Sequence, residues 1–363
     1  MRKYYLDNVR WATVVVVVLY HVIYMYNGQG ILGVVGKITN LSVQYWDVFQ
    51  YAVYPWIMMV LFIVSGVAAK LALEKYSHKE FIKSRTTKLL VPSTVGLVAF
   101  QFIQGYVNAS ISGMLNYPMP MVFKFISVLL SGIGVLWYIQ LLWLYSIVLI
   151  PIIKVEKNRL WDFCGKLGES KIGLPVLIAL VLVAYGAAQV LNTPIIVCYR
   201  IGLYFFLFLL GYFVISHDEV VGVLKKFFAI FAILAVVLGI AFCVTYFGQV
   251  YSNGPIYKSV LYVFFGYFAS LAIIGGMAKY FDISNGFTQW MNKRSFGLYV
   301  FHYLGISLVG LYIAKPGYLP AAATYVLTAI AGFGLGYLLN EIISLIPYYR
   351  WAVLGIKEPK KDK

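Results

Sequence analysis

Residues 9–27 read VRWATVVVVVLYHVIYMYN, an apolar segment long enough to cross a lipid bilayer as one helix. About 20 apolar residues suffice, because each helical residue adds about 1.5 Å along the axis. Segments of this kind recur along the whole chain. The sequence therefore predicts an all-α integral membrane protein with about ten transmembrane helices, near residues 9–27, 49–73, 89–113, 134–153, 173–192, 197–215, 227–248, 256–278, 296–314 and 321–346.

The composition excludes a water-soluble enzyme. Of the 363 residues, 62% are hydrophobic and only 12% are charged, about half the charged fraction of a soluble domain. One water-soluble core cannot hide that much apolar sequence, so it must face lipid. Lipid offers no hydrogen-bond partner to backbone groups, which leaves helices as the plausible spanning structure.

The net charge of +16 follows the predicted topology and does not indicate a nucleic-acid partner. Arg10 and Arg200 fall within predicted spans, and 23 of the other basic residues fall in or beside the loops of one side. Lys and Arg in short loops mark the cytoplasmic side, so both termini are expected there. We expect a single membrane domain over residues 1–348 and a basic cytoplasmic tail over 349–363. Four basic residues remain for the outer side: Lys37, Lys124, Lys258 and Lys315.

Two features outside the spans bear on the outer face. Residues 121–131, MVFKFISVLLS, are apolar but too short to span, and we expect them in the membrane interface. The chain also contains 31 tyrosines. They indicate either an aromatic belt at the membrane surface or a carbohydrate-binding surface.

Few ionisable residues lie within the predicted spans, and each is a candidate functional residue because charge is costly in lipid. They are Arg10, His21, Arg200, His302 and Glu341. Arg200 could contact an acceptor or extend its head group to the interface. Glu341 is expected to pair with a basic neighbour. The three cysteines are too few and too widely spaced to predict a disulfide framework or a metal site.

Arg10 and His21 share one helix face, because eleven residues make three turns plus about 20°. Asp7 lies one turn before Arg10, and about 16 Å separates Arg10 from His21 along the axis. A long ligand with an anionic head at the cytoplasmic edge could present a reactive tail to His21. The alternative is a histidine held by packing and an arginine that reaches the interface.

Residues 10–21 resemble the opening of the membrane acyltransferase-3 family, in which an Arg is followed by ten residues and a His. Further segments resemble later motifs of that family in the same order: PWIMMVLFIVSG (55–66), FIKSRTTKLLVP (81–92), GVLWYIQLLWLY (134–145) and SFGLYVFH (295–302).

The resemblance implies transfer of an acyl group, usually acetyl, from a cytoplasmic thioester donor such as acetyl-CoA to a hydroxyl of a cell-surface or lipid-linked glycan. It implies acyl-CoA as a co-substrate with no permanently bound cofactor, and a location in the cell membrane, in a bacterium the cytoplasmic membrane. A neutral imidazole suits removal of the hydroxyl proton near pH 7. His21 is therefore the candidate base or transient acyl carrier, and His302 in the late motif is the second catalytic candidate.

Arg10, Arg85 and Lys88 are expected to hold the phosphates of the donor. The family motif has Arg at the position of Lys88, and Lys cannot make the planar bidentate contact of Arg. Plain positive-inside charge is the alternative for Arg85 and Lys88. Residues expected to support the reaction or contact the acceptor are Asp7, Asp47, Ser65, Trp137, Tyr138 and Arg200, with Asp47 placed to orient His21.

Two other functions fit a polytopic protein with buried Arg and His residues. One is a transporter or flippase for a lipid-linked or small anionic substrate, although no repeated pair of broken helices is visible in the two halves. The other is a structural protein of a glycan-assembly complex. The sequence leaves the acceptor, the length of the acyl group and the oligomeric state open.

Overall fold

The computed structural model describes residues 3–30, 33–193 and 198–357, and the described residues are mainly helical. The α-helices are α1 (Tyr4–Tyr24), α2 (Val48–Leu73), α3 (His78–Arg85), α4 (Val91–Gly96), α5 (Phe102–Ile111), α6 (Met121–Ser131), α7 (Trp137–Glu156), α8 (Arg159–Glu169), α9 (Gly173–Ala188), α10 (Ile201–Leu210), α11 (Asp218–Lys226), α12 (Phe228–Tyr246), α13 (Gly254–Tyr257), α14 (Val260–Tyr280), α15 (Gly286–Val309), α16 (Ala321–Leu345) and α17 (Tyr349–Leu354).

Several helices continue through short segments of different winding. The π-helical turns are Thr86–Leu90, Leu97–Gln101, Gly211–Ile215 and Gly310–Ala314. Turns of 3₁₀ type cover Tyr45–Asp47, Met114–Asn116 and Gly134–Leu136. In the part of the chain that the structure describes, β-pairing is limited to one isolated antiparallel bridge between Asn192 and Arg200.

The described residues contain eight helical segments that are long and apolar enough to cross a membrane. A ninth span is present if two further segments form one broken span. These are Ile201–Ile215 and Asp218–Lys226, whose axes differ by 99°. The prediction of an all-α, multi-pass membrane protein is thus confirmed. The eight segments, each overlapping a predicted span, are Tyr4–Tyr24, Tyr45–Leu73, His78–Ile111, Gly134–Glu156, Phe228–Tyr246, Val260–Tyr280, Gly286–Ala314 and Ala321–Leu345.

The remaining predicted span, residues 173–192, is shorter in the structure. Helix α9 contains 16 residues, or about 24 Å of helix, and it ends at Ala188. The apolar sequence runs on, but Leu191 has a φ of 54°, which an α-helix cannot contain. The number of full-length spans among the described residues is therefore eight or nine instead of ten.

The first of two compact units comprises Met1–Thr13, Tyr51–Ile82 and Leu144–Asn292. Within it, α12 packs along α14. Helices α2 and α10 meet backbone to backbone, since a Cβ atom on Gly66 would lie 2.0 Å from the carbonyl oxygen of Phe208. The N-terminal segment is held by Lys3, whose Nζ lies 2.8 Å from the Asp218 carboxylate.

The second unit comprises Val14–Gln50, Lys83–Trp143 and Lys293–Lys363. Helices α15 and α16 approach closely, because a Cβ atom on Gly305 would lie 2.2 Å from the carbonyl oxygen of Ala331. Arg294 donates from Nε to Glu341 at 2.8 Å. Glu341 thus has the basic partner that the sequence predicted.

Two predicted surface segments also belong to the second unit. Helix α6 covers the interfacial segment and packs on α5, where a Cβ atom on Gly105 would lie 1.9 Å from the Val128 carbonyl oxygen. Its position in the membrane interface stays a prediction. The predicted tail begins with α17, which packs against α4, while residues 358–363 lie outside the described part of the chain.

Candidate functional site

Two histidines of the second unit form a hydrogen-bonded pair. Helix α1 carries His21 in its last turn, and α15 carries His302. The Nε2 atom of His302 lies 3.1 Å from the Nδ1 atom of His21. His302 is fully buried and His21 is half-buried. The sequence singled out both residues separately, and the structure brings them together across 281 positions.

The surrounding carbonyl groups decide where the protons of this pair lie. Nδ1 of His302 lies 3.1 Å from the Leu298 oxygen and 2.9 Å from the Tyr299 oxygen. Nδ1 of His21 lies 2.9 Å from the Val17 oxygen. A carbonyl oxygen can only accept, so both Nδ1 atoms carry the hydrogen in the neutral pair. The His21 N–H is then shared with Nε2 of His302, and Nε2 of His21 keeps a free lone pair.

Glycine and aromatic residues surround this histidine pair. On α16, a Cβ atom on Gly336 would lie 3.3 Å from the Cα atom of His302, so glycine permits the close approach of α16 to α15. The His21 ring makes edge contacts with three tyrosines at centroid distances of 5.0, 5.9 and 5.0 Å. These are Tyr20, Tyr24 and Tyr303.

This arrangement can perform base or nucleophilic chemistry. The free Nε2 lone pair of His21 can accept a proton or attack a carbonyl carbon. Once His21 is protonated, the acceptor Nε2 of His302 stabilises the imidazolium, as a carboxylate does in a hydrolase triad. No group of three His, Cys, Asp or Glu residues suited to a metal ion occurs in the described ranges.

Tyr299 links two of the sequence segments. Its backbone oxygen accepts from His302, and its hydroxyl donates to the Val135 backbone oxygen. Its ring lies 5.9 Å from that of Tyr138, which in turn contacts Trp137 at 6.4 Å. Tyr138 is therefore connected to the histidine pair through a single intervening residue, Tyr299. Sequence reasoning did not select Tyr299, although its place three residues before His302 on one helix is a usable signal.

Asp47 does not orient His21, contrary to the sequence prediction. Its Oδ2 atom accepts from the Gly28 backbone N–H at 3.0 Å and from Gln44 Nε2 at 3.3 Å. These bonds tie the carboxylate to the loop that follows α1. The orientation of His21 comes instead from Val17 and His302.

In the second unit, Arg85 directly precedes the π-helical segment Thr86–Leu90, and Lys88 lies within it. Arg85 is half-buried and Lys88 is exposed. Trp143 donates from its indole N–H to the Thr86 hydroxyl at 3.1 Å and so anchors this segment. Pro92, at the start of α4, has no N–H to donate to the Lys88 carbonyl, which favours irregular winding here.

Asp7, Arg10 and Ser65 belong to the first unit. Arg10 and Asp7 are one turn apart on α1, and their nearest charged atoms are separated by 3.5 Å. The Arg10 side chain keeps 38% of its surface exposed. Ser65 is buried within α2. The helical spacing predicted between Arg10 and His21 holds, since one helix contains both.

Arg200, also in the first unit, does not extend to the interface as one alternative predicted. It is 1% exposed and surrounded by tyrosines. Its guanidinium donates to the Tyr262 hydroxyl and, at 2.5 Å, to the Tyr54 hydroxyl. The guanidinium carbon lies 4.3 Å from the centre of the Tyr257 ring. The cation is thus stabilised by hydroxyl groups and aromatic faces.

Comparison with known families gave one informative result. The model of the acyltransferase-3 family, described as an acyltransferase domain, matches residues 3–341. The matched region contains the histidine pair, the Arg85–Lys88 segment and the Arg200 cluster. Comparisons with characterised proteins and with solved structures gave no match.

Proposed function

The chain belongs to the acyltransferase-3 family, and from this we propose that it is a membrane O-acyltransferase acting on a glycan. In this proposal the acyl group, acetyl in the simplest case, comes from a cytoplasmic thioester such as acetyl-CoA. The acceptor is a hydroxyl of a cell-surface or lipid-linked glycan. The family match and the membrane-spanning helices support the acyltransferase class, and the donor and the acceptor are part of the proposal.

The observation that carries the proposal is the hydrogen bond between His21 and His302. Nε2 of His21 takes the proton of the acceptor hydroxyl as its oxygen attacks the thioester carbonyl. The carbon–sulfur bond then breaks, the acyl group becomes an ester of the glycan, and the leaving thiolate receives the proton from the imidazolium. His302 accepts the Nδ1–H bond throughout and stabilises the charged ring.

An alternative order of steps uses the same atoms. Nε2 of His21 attacks the thioester, the thiol leaves, and the acyl-imidazole passes its acyl group to the hydroxyl. Both orders require the Nε2 lone pair that the hydrogen bonds of the pair leave free. The family match does not favour the transporter alternative.

We propose that Arg85 and Lys88 bind the phosphates of the donor. They are about one helical turn apart, since Arg85 directly precedes the π-helical segment Thr86–Leu90 and Lys88 lies within it. The two side chains are at least partly accessible, so they can meet a ligand from solvent. For Arg10, which belongs to the first unit, donor binding stays a prediction from the sequence. Attraction between cations and phosphates falls with ionic strength, so donor affinity is expected to fall with salt.

The direct test is the ester content of surface glycans, measured by mass spectrometry in cells with and without this protein. We expect an acyl ester that appears only with the wild-type chain. In a second arm, purified protein is mixed with acetyl-CoA or succinyl-CoA and an isolated glycan, and free thiol is measured. A glycan pattern that the protein does not change, with no thiol released, would contradict the proposal.

A further inference from the structure

The C-terminal helix α17 ends on the segment that carries Lys88. Its last turn closes at Gly355, which has a φ of +63°, a conformation that other residues adopt at a cost. A Cβ atom at this position would lie 2.5 Å from the Thr87 carbonyl oxygen and 2.7 Å from the Lys88 Cα atom. Glycine is therefore required twice, for the backbone angle and for the close approach.

Further contacts hold α17 in this place. The side chains of Ala352, Val353 and Leu354 are buried. A Cβ atom on Gly96 of α4 would lie 2.8 Å from the Ala352 carbonyl oxygen. The Tyr349 hydroxyl donates to the Ala99 carbonyl at 2.9 Å. The helix is thus packed along its whole length within the second unit.

The chain reverses after Gly355 and brings another cation to Lys88. The Ile356 N–H donates back to the Arg350 carbonyl at 3.3 Å, and Lys357 follows with an exposed side chain. Lys357 lies two residues after Gly355, whose backbone approaches Lys88, and both Lys357 and Arg85 act on Lys88 as like charges. Like charges repel, so an anion bound among them would be stabilised by all three.

We propose that Lys357, positioned by α17, joins Arg85 and Lys88 as a third cation of the second unit that binds the donor phosphates. This inference rests on the proposed function, in which the donor is a coenzyme A thioester. Coenzyme A carries a diphosphate and a further ribose phosphate, so it offers anionic groups to more than two cations. Helix α17 lies beyond the matched residues 3–341, so the family relationship does not supply this residue.

The test is coenzyme A binding to the full-length protein in neutral detergent, where no anionic lipid head group can occupy the site. We expect Lys357→Ala to weaken binding about fivefold, as loss of one partly exposed ion pair does. Lys357→Arg should retain most of the affinity, and Lys357→Glu should lose more than Lys357→Ala. The difference from wild type should shrink at high salt. Lys171→Ala, which removes an exposed lysine of the first unit, is the matched control.

A second variant separates charge from position. Gly355→Ala keeps every cation but should displace Lys357 from Lys88, because its Cβ atom would overlap the Thr87 oxygen. We expect a comparable loss of coenzyme A affinity, with Gly334→Ala, which has open space around it, as the control. If Gly355→Ala does not fold, the Lys357 series decides.

The outcomes separate this inference from the function on which it rests. Wild-type protein that binds no coenzyme A overturns the donor assignment and this site with it. Wild-type binding that Lys357→Ala and Lys357→Glu leave unchanged overturns only the role of Lys357, and the acyltransferase proposal stands.

Discussion

The hydrogen-bond partners of His21 leave one of its nitrogens able to act as a base. Because Nδ1 donates to Val17 and His302, the lone pair at Nε2 is the one left for a reactant. His302 is fully buried and donates its own Nδ1 hydrogen to the backbone. In the proposed reaction it would therefore act through His21, as a positioning residue. The two histidines should respond differently to replacement.

We expect His21→Gln to reduce glycan acylation by about 10²–10⁴-fold, the usual effect of removing a general base. Glutamine keeps a polar group of similar size but cannot take the proton. The measurement is ester content per glycan, normalised to protein in the membrane. His78→Gln makes the same change at an exposed histidine of the first unit and should have no effect.

Packing alone would produce the opposite pattern for His21. A residue needed only for packing tolerates Gln and fails with Ala, because Ala leaves a cavity. Near-normal acylation by His21→Gln would therefore refute the catalytic role.

His302 should have a smaller effect, because Val17 still holds the His21 tautomer without it. His302→Leu removes the acceptor of the Nδ1–H bond. A hydrogen bond to a charged group contributes about 1.5–3 kcal/mol, so kcat should fall about tenfold to a hundredfold. The KM for the donor should change little. His302→Gln, which can still accept that bond, should recover part of the rate.

A merely structural His302 would give another result. Leu, which is apolar and of similar size, would then be tolerated at least as well as Gln. Equal rates for His302→Leu and wild type, with both proteins eluting as one species, would exclude the positioning role.

At the scale of the helices, glycines set how closely α15 and α16 can approach. Gly305 faces the Ala331 carbonyl oxygen, and Gly336 faces the backbone of His302. A methyl group has no room at the first position. The packing of α16 therefore helps to fix the rotation of α15, and this rotation aims His302 at His21.

We expect Gly305→Ala to lower the free energy of unfolding by about 1–3 kcal/mol, the typical cost of overpacking. Gly334→Ala, on the same helix pair but with open space around it, should be neutral or slightly stabilising, since alanine favours the helix. Thermal unfolding in detergent compares the two variants. A melting temperature of Gly305→Ala equal to that of Gly334→Ala would show that the two helices can separate freely at this contact.

At the scale of the whole molecule, the asymmetry of the basic residues predicts the topology. Four Lys residues fall in the predicted outer loops against 23 Lys and Arg residues on the other side. In the predicted topology, the bent pair Ile201–Ile215 and Asp218–Lys226 would be one crossing and the short helix α9 another. This keeps the alternation that the basic loops require.

We expect reporters fused at both termini to lie in the cytoplasm. A fluorescent protein that folds only there should be fluorescent at the C-terminus, and a phosphatase active only outside should be inactive. Phosphatase inserted in the predicted outer loop 114–133 should be active and serves as the control. An active phosphatase at the C-terminus, combined with a cytoplasmic N-terminus, would mean that an odd number of spans crosses the membrane.

The sequence by itself determined the class of fold and the identity of the main candidates. Lipid leaves helices as the spanning structure, so apolar length alone located eight long spans. The eleven-residue spacing of Arg10 and His21, together with the order of the motifs, was enough for the family, which the match over residues 3–341 confirms. These signals are local in the chain or depend only on composition.

The tertiary structure alone decided which side chains meet. The partner of His21 is His302 and not Asp47, although 281 residues separate the two histidines. Arg200 is enclosed by tyrosines instead of reaching water. Apolar periodicity indicates that a helix is buried in lipid or protein. Whether two side chains form a hydrogen bond depends in addition on how each helix is rotated about its axis. That rotation is fixed by close backbone contacts such as Gly305 against Ala331, which no single segment of sequence contains.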